Sequence, residues 1–123
     1  MLDTKKMLLK ILTYIKDAKN PTSFTGTRAS AVANGNCYGV YDKSTGLVRI
    51  NLYAGSSANI SIDQTLFTIP SAYRPSSAVS GSGFLGTSSG TSQASLTLYT
   101  DGTIKQRSTS SCRVLFGYIE YKL

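Results

Sequence analysis

The hydrophobic period of the chain changes once, at Asn20-Pro21, and that change constrains the fold more than any other feature. Before it, Met1, Thr4, Leu8, Ile11, Ile15 and Ala18 recur at alternating three- and four-residue spacing, a heptad seam with one polar break that predicts a helix over residues 1–19. Met7, Leu12 and Tyr14 widen the stripe beyond what a two-stranded coil covers, so the helix is expected to assemble as a homotrimer or to dock on the rest of the chain. A helix of this length needs such a partner, being marginal alone in water. Proline disfavours the helical region for the residue before it, which ends the helix at Asn20. From Thr22 onward apolar residues alternate with polar ones. The expected organisation is an amphipathic helix over 1–20 and a β head domain over 21–123.

The runs 37–41 and 47–53 predict a β-hairpin around the loop Asp42-Lys43-Ser44-Thr45-Gly46. Pairing Val40 with Val48 and Tyr38 with Ile50 places the apolar residues of both strands on one face. The other face then carries Arg49, Asn51 and Tyr53, with Gly39 across from Arg49. A turn at Gly55-Ser56-Ser57 precedes two short β segments, 59–62 and 65–69, and the connector Pro70-Ser71-Ala72-Tyr73-Arg74-Pro75. Segments 78–85 and 92–99 flank a Ser/Thr/Gly loop at 86–91. Around Asp101-Gly102 a two-residue loop would set Leu98 against Lys105. A three-residue loop of Thr100, Asp101 and left-handed Gly102 sets Leu98 against Ile104 instead. The last strand is apolar on both faces, with Val114, Phe116 and Tyr118 on one and Leu115, Ile119 and Tyr121 on the other. It is therefore expected to be covered on both sides, inside a sandwich or at a subunit contact. The fold class is mainly β, an antiparallel, jelly-roll-like β-sandwich preceded by one short N-terminal α-helix. The 123 residues suit one such core.

The residue types argue against catalysis. The chain has no His, which removes the usual general base and the usual metal ligand, and no SxxK pattern offers a lysine instead. Its carboxylates are Asp3 and Asp17 in the helix, Asp42 and Asp101 in turns, and Asp63 and Glu120. Gly81-Ser82-Gly83 runs into Phe84-Leu85 within a strand pattern and opens no phosphate-binding helix. No catalytic residue, metal ligand or cofactor is assigned. Cys37 and Cys112 lie outside any CxxC pattern, and are read as a free buried pair or as one long-loop disulfide. Lys10 and Lys16 interrupt the apolar stretch of the first residues, so neither a secretory leader nor membrane insertion is expected.

The formal net charge of +7 is spread over both parts of the chain. It fits attraction to an acidic polymer, whether nucleic acid, anionic wall glycan or a membrane surface, and equally fits simple solubility. Eight Tyr accompany scattered Arg and abundant Ser, Thr and Asn. Such a surface suits saccharides, whose ring faces stack on aromatic side chains while polar groups bond the hydroxyls. Arg49, Asn51 and Tyr53 are the first candidates for ligand contact, with Tyr73 and Arg74 beside them. The same hairpin face also has the composition of a subunit interface.

The segment Leu66-Phe67-Thr68-Ile69-Pro70-Ser71-Ala72-Tyr73-Arg74-Pro75-Ser76-Ser77 resembles an "IPxxYRPS" connector of C-terminal head domains in tail fibre and baseplate proteins from phages of Gram-positive bacteria. Leu96-Thr97-Leu98-Tyr99-Thr100-Asp101-Gly102-Thr103-Ile104 is similar to their penultimate "xIxxDGxI" hairpin, and Gly117-Tyr118-Ile119 resembles their closing strand. The resemblance covers about the last sixty residues. It implies a trimeric β-sandwich head that adsorbs to bacterial cell-wall or surface polysaccharide, made in the bacterial cytoplasm and carried in the virion on a tail or baseplate. It also implies contact with another tail or baseplate protein. The alternatives are a structural tail or accessory virion protein without receptor activity, and a basic nucleic-acid-binding domain.

Overall fold

The structure, a computed structural model, describes residues 3–19 and 21–123. Helix α1 spans Thr4–Lys19. Asp3 caps it, its carbonyl oxygen accepting from Met7 N and its Oδ1 from Lys5 N, both at 3.0 Å, which satisfies amides that the first turn leaves open. Met1 and Asn20 lie outside the described residues, as do the side chains of Tyr14 and Ala18. The apolar stripe does not dock on the β domain: Met7, Leu8, Ile11, Leu12 and Ile15 remain 43–56 % exposed.

Nine strands follow: β1 Thr22–Thr25, β2 Thr27–Arg28, β3 Asn34–Asp42, β4 Leu47–Ile60, β5 Thr65–Thr68, β6 Val79–Thr87, β7 Gly90–Leu98, β8 Thr103–Gln106 and β9 Cys112–Lys122. The chain is thus mainly antiparallel β with one short N-terminal helix, as the alternation predicts. The strands form one sheet in the order β1-β3-β4-β9-β6-β7-β8-β5-β2. Its edge strands β1 and β2 are consecutive in the chain and separated only by Gly26, whose amide donates to the Cys37 carbonyl oxygen at 2.9 Å. The sheet therefore curls almost into a barrel, and its opposed halves enclose a single core.

Alternation fills that core. Val48, Ile50, Leu52 and Ala54 of β4 meet Leu115, Ile119 and Tyr121 of β9, Leu96 and Leu98 of β7, Ile104 of β8 and Leu66 and Phe67 of β5. One polar side chain is fully enclosed with them. Gln106 Nε2 donates to the carbonyl oxygens of Ile60 (3.1 Å) and Ser110 (3.2 Å), and its Oε1 accepts from Ser108 N at 2.8 Å. Beyond β8, the loop to β9 is tied down through these bonds.

The turn at Gly102 is as the sequence predicts. Leu98 pairs with Ile104, Gly102 has φ +87°, and Tyr99 N donates to the Thr103 carbonyl oxygen at 2.9 Å. The hairpin of β3 and β4 differs by one residue. Val40 faces Arg49, Tyr38 faces Asn51, and Gly39 faces Ile50, leaving a four-residue loop between Asp42 and Leu47. The cause is Phe24, whose ring occupies the space over Gly39 on the inner face; any Cβ there would overlap it. Cys37 and Gly39 consequently point inward, and Tyr38 and Val40 outward.

Other boundaries shift for local reasons. Gly55-Ser56-Ser57 is no turn, because Asn34 and Gly35 prolong the pairing to Gly55 and β4 continues to Ile60 with an irregularity against β9. The β6–β7 loop shrinks to Ser88-Ser89, with Thr87 paired to Gly90. On β9 the inner residues are buried as expected, but the outer ones are uncovered in the single chain, Phe116 by 54 % and Tyr118 by 38 %. The cysteines are free and buried. Cys37 shares a cross-strand row with Gly117 through Leu52, and Cys112 lies five residues further along β9, or roughly 16 Å. That is far beyond disulfide reach and excludes the long-loop bridge.

Candidate functional site

Strands β3, β4, β9 and β6 turn one side of the sheet outward, and their pairing aligns side chains in rows. Asn36, Tyr53, Phe116 and Phe84 stand side by side, followed on β7 by Gln93. The next row is Tyr38, Asn51, Tyr118 and Ser82. The third is Val40, Arg49 and Glu120. Two rows bearing aromatic residues thus cross the outer face, and Phe84, on β6 beside β7, is 65 % exposed. Isolated exposed apolar residues are ordinary, but a contiguous aromatic patch marks a contact surface.

Within this face a shallow groove of about 300 Å³ runs between Tyr38 on one side and Tyr53 and Phe116 on the other. Asn36 and Asn51 project into it, and Leu52 and Gly117 form its floor. The rings of Tyr53 and Phe116 are 5.0 Å apart at 42°, so together they offer a broad apolar wall of little rotamer freedom. The two exposed amides offer both donors and acceptors at its foot.

Arg49 lies one pleat away. Its Nε donates to Glu120 Oε1 at 3.4 Å, and the Tyr118 hydroxyl donates to Glu120 Oε2 at 3.1 Å. Burial first, and then the Glu120 carboxylate, hold the Tyr118 hydroxyl protonated above its ordinary range. The Arg49 and Glu120 side chains are 60 % and 42 % exposed, so the pair is weak and its members are free to exchange partners.

Asn51 and Tyr53 therefore line the groove and Arg49 borders it. Tyr73 and Arg74 do not join them. The Tyr73 ring stacks on Phe24 at 4.1 Å and 8° and meets the edge of Tyr41 at 5.9 Å, while its carbonyl oxygen accepts from the Tyr121 hydroxyl. Arg74 donates to the Ile69 carbonyl oxygen from Nε at 3.2 Å and from Nη2 at 3.1 Å. Both residues hold the short 3-10 turn Ser71–Tyr73 against the core and stand apart from the groove.

The structure adds Asn36, Tyr38, Phe116, Phe84 and Tyr118. The double-sided apolar pattern of β9 was the signal for two of these. Tyr38 was hidden by the one-residue register difference, which turned it inward. Among the described residues no group of three or more His, Cys, Asp or Glu gathers to hold a metal ion, and no helix is long and apolar enough to cross a membrane. No protein-family model and no curated protein sequence matches the chain.

Proposed function

We propose that the chain is a non-catalytic receptor-binding module of a phage tail or baseplate, which recognises a host cell-surface saccharide through the outer face of β3, β4, β9 and β6. The observation that carries this reading is the groove itself: paired rings of Tyr53 and Phe116 facing Tyr38, with Asn36 and Asn51 at the foot. A sugar ring has one apolar face and a rim of hydroxyls, and stacking plus amide contacts meets both. The tail-protein resemblance of residues 66–77, 96–104 and 117–119 supplies the biological setting. In that setting the exposed stripe of α1 joins three copies into a homotrimer within the virion, where a second tail protein holds it.

Labelled protein applied to host cells and to purified wall polysaccharide tests the proposal. Binding that is lost in Tyr53→Ala and Phe116→Ala, with oligomer mass and thermal midpoint retained, supports it.

A second reading is a structural tail protein that uses the same face as a subunit contact, favoured by the 65 % exposure of Phe84. In that case the same substitutions dissociate the oligomer, and cells are ignored.

A further inference from the structure

A second cleft opens at the end of the sheet beyond the groove, and its chemistry is different. Gly55 pairs with Val114, but the next β4 residue to pair with β9 is Ile60, against Cys112. Residues 56–59 therefore loop away from β9. On the other edge, pairing of β6 with β9 ends at Gly86 and Val114. Arg113 is left in a notch, matched by a partner residue on neither neighbouring strand.

The notch encloses about 510 Å³ and is lined by Asn59, Thr87, Ser88, Ser111 and Arg113. Its lining contains a guanidinium, three hydroxyls and an amide, and no carboxylate. The two ion pairs among the described residues, Arg49–Glu120 and Arg107–Asp63, do not involve Arg113. A guanidinium left without a counter-ion amid neutral donors is a site for an oxyanion. Arg113 is three residues from Phe116 along β9, or about 10 Å. Between them Val114 is flanked by Gly55 and Gly86, and the space over Gly55 holds the Asn34 amide and the Tyr53 hydroxyl, so the groove's own tyrosine reaches the row beside the notch.

We propose that the notch is an anion-binding subsite of the glycan face, in which Arg113 pairs with a phosphodiester or carboxylate group of the same saccharide polymer whose ring stacks on Tyr53 and Phe116. This rests on the saccharide-binding reading and narrows its ligand to an acidic polymer. Thirteen basic against six acidic residues give the whole chain a sign that attracts such a ligand.

The test uses the full chain, isotope-labelled, and small probes first. The Arg113 Nε–Hε resonance, identified by its loss in Arg113→Gln, moves on addition of glycerol phosphate or galacturonate and stays in place with glycerol. Polymers then separate the sources. Arg113→Gln weakens binding of a glycerol-phosphate polymer or of polygalacturonate by about fivefold at low salt, the scale of one solvent-accessible charge pair. The polymer more affected names the anion. Neutral dextran binding is unchanged by Arg113→Gln, whereas Phe116→Ala weakens all three. Wild-type affinities in Arg113→Gln, with Phe116→Ala still defective, overturn the subsite and leave the groove reading standing. Duplex DNA bound as tightly as the glycans, with the same Arg113 dependence, overturns the glycan assignment. A wild-type chain that binds none of the polymers removes both readings together.

Discussion

Tyr53 and Phe116 are direct neighbours across β4 and β9, and their rings meet on the outer face at 5.0 Å while Ala54 and Leu115, one residue along each strand, are fully buried. The strands are thus anchored from the inside, and the rings are spare. A cross-strand aromatic pair contributes only ~0.2–1 kcal/mol to a sheet. Tyr53→Ala and Phe116→Ala are expected to lower unfolding free energy by no more than about 1 kcal/mol, while reducing affinity for wall polysaccharide about tenfold or more, a change of ~1.4 kcal/mol. Urea unfolding and binding titrations on the same preparations check both halves.

The stripe of Met7, Leu8, Ile11, Leu12 and Ile15 leaves α1 without a partner inside the chain. Light scattering at micromolar concentration is expected to give the mass of three chains. Removal of residues 1–19 is expected to lower that mass and to leave the β-type circular dichroism spectrum intact. A one-chain mass for the full protein ends the trimer proposal.

Gln106 is the polar centre of the core, and three backbone groups depend on it. Gln106→Ala opens a cavity and strands the carbonyl oxygens of Ile60 and Ser110 and the amide of Ser108, at a cost of about 3 kcal/mol. Gln106→Leu restores much of the volume but none of the bonds, so it is expected to remain destabilised in urea denaturation.

Alkali is expected to weaken the fold. Burial pushes the Cys37 thiol from its ordinary 9.0 up to about 11, partly offset by the hydrogen bond from Gly26 N–H. Burial, and then the neighbouring Cys37, push Tyr121 from 10.0 up to about 12. Each group binds its proton more tightly folded than unfolded, so its contribution is complete below pH 9 and is lost as the pH rises through 9 to 12. The urea midpoint should fall across that window, and Cys37→Ala should flatten the first part of the fall. A thiol reagent at pH 8 should react with Cys37 only after denaturation.

How much of this was legible depended on whether the deciding contact was local. The bulge at Gly102 follows from residues 98–104 alone, because one loop length satisfies both the left-handed glycine and the match of Leu98 with Ile104. The register of 37–53 does not. Cys37, Tyr38, Val40 and Tyr41 are apolar on both faces, so alternation permits either register, and Phe24 decides by filling the space over Gly39. Of the site, Asn51 and Tyr53 were visible in the alternation of β4. Asn36, Tyr38 and Phe116 came into view only once β3, β4 and β9 were paired. Tyr73 and Arg74 have the residue types of a ligand site and stand apart from the groove with framework contacts of their own, and composition alone does not distinguish the two uses.

The position of β9 between β4 and β6 has a consequence for biosynthesis. Until residues 112–122 have been translated, β4 and β6 lack the strand that lies between them, and each keeps an open edge. The sheet is therefore completed only once residues 112–122 are available, not progressively along the chain. A premature stop codon at the start of that stretch removes the strand that joins β4 to β6.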